Sequence, residues 1–169
     1  MKNEYSVTIK LKPILQQYIR HNQNGCVVAS RRSFIGKLVH VFLSPVPRGE
    51  VPMLETSPEF ITIYLPYMDD IGIEGCLWIS PENQAKLENI LDAHFREIFL
   101  FYVNDKVRYT LVTPHGRVIR RARIKDAIIQ FCADYGLSYS DICYESLKKR
   151  HYRNRKHFVL DDEYFSILP

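Results

Sequence analysis

Six lysines and arginines and one histidine fall within residues 148–156: Lys148, Lys149, Arg150, His151, Arg153, Arg155 and Lys156. Cations at this density suit one chemistry above others, the neutralisation of phosphates with release of their counterions. Tyr152 and Asn154 are interleaved with them, adding groups that stack or donate hydrogen bonds to a nucleic-acid backbone. On a helix, Lys149, Arg153 and Lys156 recur at spacings of four and three and share a face with Tyr152. A second basic group, Arg120, Arg121 and Arg123, precedes the same region. The bland alternative is a solvated helix end whose cations complement the C-terminal dipole, which accounts for about two or three charges. It does not account for seven.

Other reactive residues form no working set. Cys132, Cys143, His151 and His157 are zinc-type ligands, but the cysteines stand eleven residues apart and both fall at inward helical positions, unlike the close pairs of zinc sites. Asp69, Asp70 and Glu74 form an acidic group in an expected loop, where carboxylates commonly serve solubility. His115 lies in a turn, and His94 sits on an apolar helical stripe as a core histidine. Tyr164 with Arg153 and His151 does not reproduce the spacing of tyrosine recombinases, and the chain is too short for their catalytic domain. There is no Walker loop, GxGxxG or GxSxG. The expectation is therefore no catalytic site, metal, cofactor or small-molecule substrate.

The elements that must position the basic groups come from periodicity. Residues 5–11 alternate as a half-buried strand, with Val7, Ile9 and Leu11 on one side. Pro13 opens a helix carrying Ile14, Leu15, Tyr18 and Ile19, ending near Asn22. Asn24-Gly25 is a turn and residues 26–29 a short apolar run. Ser30 or Ser33 caps a segment whose Phe34, Leu38, Val41 and Phe42 share a helical face, with strand competing over residues 38–43. Pro45, Pro47, Pro52 and Pro58 with Gly49 make residues 44–59 an irregular loop. Residues 60–65 and 71–79 read as two strands of an antiparallel hairpin.

Ser80-Pro81-Glu82 is a strong helix start, and the helix is expected over residues 81–102. Its stripe is Leu87, Ile90, Leu91, His94, Phe95, Ile98, Phe101 and Tyr102, with Phe99 and Leu100 adding apolar bulk outside it. An end that is apolar all round points to deep burial or a dimer contact, with Phe95, Phe99, Phe101 and Tyr102 as the contact residues. Residues 107–113 suit either strand or loop. A helix then follows over residues 120–136, burying Ile124, Ala127, Ile128, Phe131 and Cys132 with Tyr135 at the edge. Gly136 stands just past its end, where positive φ is needed. Ser138 or Ser140 caps a second helix, with Ile142, Cys143, Ser146 and Leu147 facing inward.

Two helices across a short turn built on Gly136, Leu137 and Ser138 resemble the helix-turn-helix of many DNA-binding proteins. The resemblance covers residues 124–156, about one fifth of the chain. It implies that the second helix meets the DNA major groove. Cys132 stands where a small alanine often lets the helices close, and the cations lie late in the second helix rather than early. As a whole the chain also resembles small proteins of bacterial mobile elements, at the level of class and not of a named family.

Charge distribution supports a polyanion partner. Residues 1–100 carry 10 basic and 11 acidic residues, whereas residues 117–156 carry 11 and 4, a local excess that favours nucleic acid. The composition, 46% hydrophobic and 25% charged, allows a real core. No stretch approaches the ~20 apolar residues that span a bilayer, and the N-terminus does not read as a signal peptide. The four cysteines, Cys26, Cys76, Cys132 and Cys143, then read as buried thiols of a cytoplasmic protein.

The expectation is an α+β fold: a small antiparallel sheet with helices over residues 1–113, and a basic helix-turn-helix-like module over residues 117–157. Residues 158–169 alternate apolar and acidic groups; they form a tail that packs on the body or a second subunit, or an acidic flap over the basic helix. The expected function is a DNA-binding regulatory or accessory protein, a homodimer on duplex DNA, as in transcription regulation. An RNA-binding protein, or a protein–protein interaction module with incidental charge, are the alternatives.

Overall fold

The computed structural model describes residues 5–22, 27–46, 57–66, 77–108 and 123–154. The expectations for the turn at residues 24–25, the acidic group at 69–74, the turn at 114–116 and the tail at 158–169 lie outside these residues. So do the expected division near residues 113–117 and the middle, 47–56, of the irregular loop expected over 44–59. At the start of that loop residues 44–45 form a strand instead. The chain divides into two compact units, Met1–His94 and Phe95–Pro169.

The first unit is built on a three-stranded sheet. Strand β1 (Tyr5–Lys10) pairs antiparallel with β4 (Phe60–Leu65), from Tyr5 opposite Leu65 to Lys10 opposite Phe60. Strand β2 (Val27–Val28) pairs parallel with the other edge of β4. The sheet is therefore mixed rather than purely antiparallel. Alternation sets its faces: Val7, Ile9, Ile61, Ile63 and Leu65 are buried while Thr62 and Tyr64 are exposed. Cross-strand pairs such as Val7 with Ile63 and Ile9 with Ile61 are the β-branched contacts that stabilise such a ladder.

Of the strand expected over residues 71–79 to form a hairpin with 60–65, the described residues 77–79 do not pair with 60–65. Both edges of β4 are occupied, and β5 (Leu77–Trp78) pairs instead with β3 (Ser44–Pro45). Apolar alternation specifies which face of a strand is buried, not which strand lies beside it.

Helix α1 (Pro13–Asn22) buries Leu15, Tyr18 and Ile19, as its periodicity predicts. It also buries Gln16, whose Nε2 donates to the carbonyls of Leu11 at 3.0 Å and Pro58 at 3.1 Å. That amide joins the start of α1 to the approach to β4.

Helix α2 (Phe34–Phe42) is capped by Ser33, whose Oγ accepts from the Gly36 N–H at 3.0 Å. Helix, not strand, is the outcome for residues 38–42. The buried face differs from the expected one: Gly36 and Val39 are buried, while Phe34 and Val41 are exposed. The reason is a close approach of backbone to backbone. A Cβ on Gly36 would lie 1.8 Å from the Ser30 carbonyl oxygen, so the helix turns its glycine side onto its own entry loop.

Helix α3 (Pro81–Arg108) begins where Ser80 predicts, with the Asn83 N–H donating to Ser80 Oγ. It runs through Val107 and Arg108, so neither is in a strand or loop. Its first part serves the first unit: Asn83 Nδ2 donates to the Phe42 carbonyl at 3.4 Å, Lys12 reaches Glu88 at 3.7 Å, and Phe34 stacks on His94 with centroids 4.3 Å apart.

In the second unit α3 contributes Phe95, Phe99, Leu100 and Val103 to the core. The stripe is thus 87, 91, 95, 99, 103, with Leu100 beside it. Ile90 and Phe101, expected within it, are exposed, whereas Phe99 and Leu100, expected outside, are buried. A strict four-residue step rotates about 40° per step around a 3.6-residue helix, so a long helix with successive partners does not keep one straight stripe. Helix α4 (Ile124–Asp134) buries Ala127, Ile128, Phe131 and Cys132 as predicted. Phe131 sits edge-on to Phe95, Phe99 and Tyr102 at centroid distances of 5.9, 5.1 and 5.3 Å. Helix α5 is Asp141–Asn154.

Candidate nucleic-acid interface

The junction of α4 and α5 is set by its own sequence. Gly136 has φ 62°, the left-handed conformation that suits glycine. The Leu137 N–H donates to the Cys132 carbonyl at 2.8 Å and the Gly136 N–H to that of Ala133 at 3.3 Å, the bond pair of a Schellman motif. Leu137 is buried, closing the motif with its apolar contact. Ser140, of the two candidate serines, caps α5: its Oγ accepts from the Cys143 N–H at 3.1 Å.

Six residues, 135–140, separate the two helices. The usual helix-turn-helix connection is about three or four. The connector is thus longer than the expected motif requires. Helix α4 starts at Ile124, with Arg123 as an extended N-cap residue making no side-chain capping bond. Arg123, expected within a helix over residues 120–136, is therefore extended and precedes it, and residues 120–122 lie outside the described residues.

Helix α5 has two distinct sides. Leu147 and His151 are buried; Glu145, Ser146, Lys149, Tyr152 and Arg153 are exposed. Lys149, Tyr152 and Arg153 share the outer face, as their spacing predicts. Two positions differ from expectation. Ser146, expected to face inward, is exposed. His151, expected among the surface cations, is only 3% exposed; its Nε2 lies 3.2 Å from Asn104 Oδ1 on α3. Asn104 thus meets the Nε2 side of the buried imidazole, while Nδ1 is buried without a hydrogen bond among the described residues.

The remaining basic candidates divide by environment. The Arg150 guanidinium packs 6.0 Å over the Phe95 ring, so it is used inside the unit. Lys148 pairs with Glu145 at 3.2 Å and lies 5.5 Å over the Tyr144 ring; that pairing raises its pKa. Arg123 is exposed. Arg120, Arg121, Arg155 and Lys156 lie outside the described residues. Sequence reasoning passed over Tyr139, exposed on the connector with its ring 6.2 Å from that of Tyr144. A lone connector tyrosine carries no periodic signal.

Of the four expected contact residues, Phe95 and Phe99 are fully buried around Phe131 and present no surface. Phe101 is 70% exposed. Tyr102 is half-buried, its hydroxyl donating to Asp134. Burial, the Asp134 bond and the nearby Asp134 charge hold that phenol well above its ordinary pKa.

Cys132 and Cys143 are free thiols, the first buried on α4 and the second half-buried on α5. Burial, with the neighbouring thiol, pushes Cys132 up to about 12, and burial raises Cys143. Among the described residues no group of three His, Cys, Asp or Glu could hold a metal ion. Nor is any helix among them long and apolar enough to cross a membrane. No protein-family model, curated protein or solved structure matches the chain.

Proposed function

We propose that this protein binds nucleic acid through the outer face of α5, as a cytoplasmic DNA-binding regulatory or accessory protein. The observation that carries the reading is the two-sidedness of α5. Its apolar side anchors the helix through Leu147, while Lys149 and Arg153 stand one turn apart on the exposed side with Tyr152 between them. Cations on a rigid element contact phosphates without first ordering a chain. The longer connector and the late position of the cations favour backbone contact over base reading.

The test is fluorescence anisotropy with a duplex of about 25 base pairs and the matching single strand, over a range of salt. The wild-type protein binds with steep salt dependence. Lys149→Ala with Arg153→Ala lowers the slope of log affinity against log salt by about two, roughly 0.9 for each phosphate no longer neutralised. Absence of salt-sensitive binding at micromolar protein and low salt refutes the reading. An RNA-binding role is the second reading, favoured by the exposed rings of Tyr139 and Tyr152, on which unpaired bases stack. Tighter binding to single strands than to duplex selects it. A homodimer with Phe101 at its interface belongs to the same reading; Phe101→Glu then yields monomer in sedimentation.

A further inference from the structure

We infer that the acidic segment Asp161, Asp162 and Glu163 acts as a tethered competitor for the outer face of α5, so that the chain restrains its own nucleic-acid binding. The inference rests on the proposed role of α5 and adds its regulation. The face offers charges that no carboxylate among the described residues compensates. Lys10, Lys86 and Lys148 each have a carboxylate at hand, in Glu59, Glu82 and Glu145. Among the described residues the side chains of Lys149 and Arg153 enter no ion pair or hydrogen bond, and both are exposed. Tyr152, 52% exposed, lies between them.

The segment has the complementary chemistry. Its three consecutive carboxylates are flanked by Phe158 on one side and Tyr164 and Phe165 on the other. Closely spaced negative charge next to planar rings is the same pair of features that a nucleic-acid strand presents to a basic, aromatic face.

The tether is long enough. Asp161 follows Asn154, the last residue of α5, by seven residues, which span at most about 25 Å when extended. Lys149 lies five residues back from Asn154, about 7.5 Å along the helix axis. A segment held this near has an effective concentration in the millimolar range, so weak ion pairs suffice to compete.

The test compares the full chain with a variant carrying Asp161→Asn, Asp162→Asn and Glu163→Gln, using two readouts. The first is the rate at which an amine-reactive ester labels Lys149, read by mass spectrometry without nucleic acid. The second is anisotropy with the duplex. The variant is expected to label faster at Lys149 at low salt and to bind duplex about three- to tenfold tighter, with both differences fading toward 0.5 M salt as the Debye length shrinks below about 5 Å. Equal labelling and equal affinity in the two proteins overturn the inference while leaving the α5 reading intact. If neither protein binds nucleic acid, the α5 reading falls, and unchanged labelling then overturns the tail contact as well; faster labelling supports it.

Discussion

The strongest residue-scale constraint is Gly36, because no side chain fits there. A Cβ at this position would meet the Ser30 carbonyl oxygen at 1.8 Å, and that oxygen is already held by the Ser33 N–H at 2.9 Å and Ser33 Oγ at 3.0 Å. Gly36→Ala must push α2 off its entry loop, and we expect a loss of about 3 kcal/mol or more in urea denaturation. Gln16→Leu leaves the Leu11 and Pro58 carbonyls without their donor. The expected cost is about 1–3 kcal/mol by the same measurement. Tyr102 adds a pH dependence. Its folded-state pKa is raised above the ordinary 10.0, so its bond to Asp134 contributes fully below that pH and is lost as pH rises through the higher native value. Tyr102→Phe should therefore lower stability at pH 7 and flatten the decline of stability at strongly alkaline pH. Cys132, with its thiol pushed up to about 12 by burial, should resist alkylation at pH 8 in the native protein and react promptly in denaturant.

At the scale of elements, α5 depends on two local devices at its junction with α4. Gly136→Ala forces a Cβ into φ 62°, which costs about 1–2 kcal/mol. Ser140→Ala removes the cap on Cys143 N–H, costing about 0.5–2 kcal/mol. Both changes should lower the unfolding midpoint without touching the cations. This junction was legible in sequence because glycine, leucine and serine at fixed offsets act locally. The inward face of α4 was legible for a similar reason, as one short helix with a single buried side. The stripe of α3 was not, since Phe99 is selected by Phe131 on another helix, and Phe101 is apolar yet left outside. For α2 the pattern of large residues misled, because the smallest side chain marks the contact.

For the whole molecule, charge is the property that matters most. Residues 1–100 are close to neutral and residues 117–156 carry the basic excess, so the proposed binding of polyanions is assigned to the second unit. Arg31→Ala with Arg32→Ala, on the first unit, should leave duplex affinity within about twofold, whereas the α5 pair reduces it steeply at low salt. Equal losses would spread the interface over both units. The sequence alone determined the α+β class, the helix start at Ser80, the burying face of α4, and the grouping of Lys149, Tyr152 and Arg153, because these follow from propensity, local hydrogen bonds and helical period. Only the tertiary structure decided that β4 lies between β1 and β2, that His151 leaves the cationic surface for Asn104, and that Arg150 lies over Phe95. Each of those outcomes depends on residues far apart in the chain, and a pattern read along one segment contains no information about which distant surface will meet it.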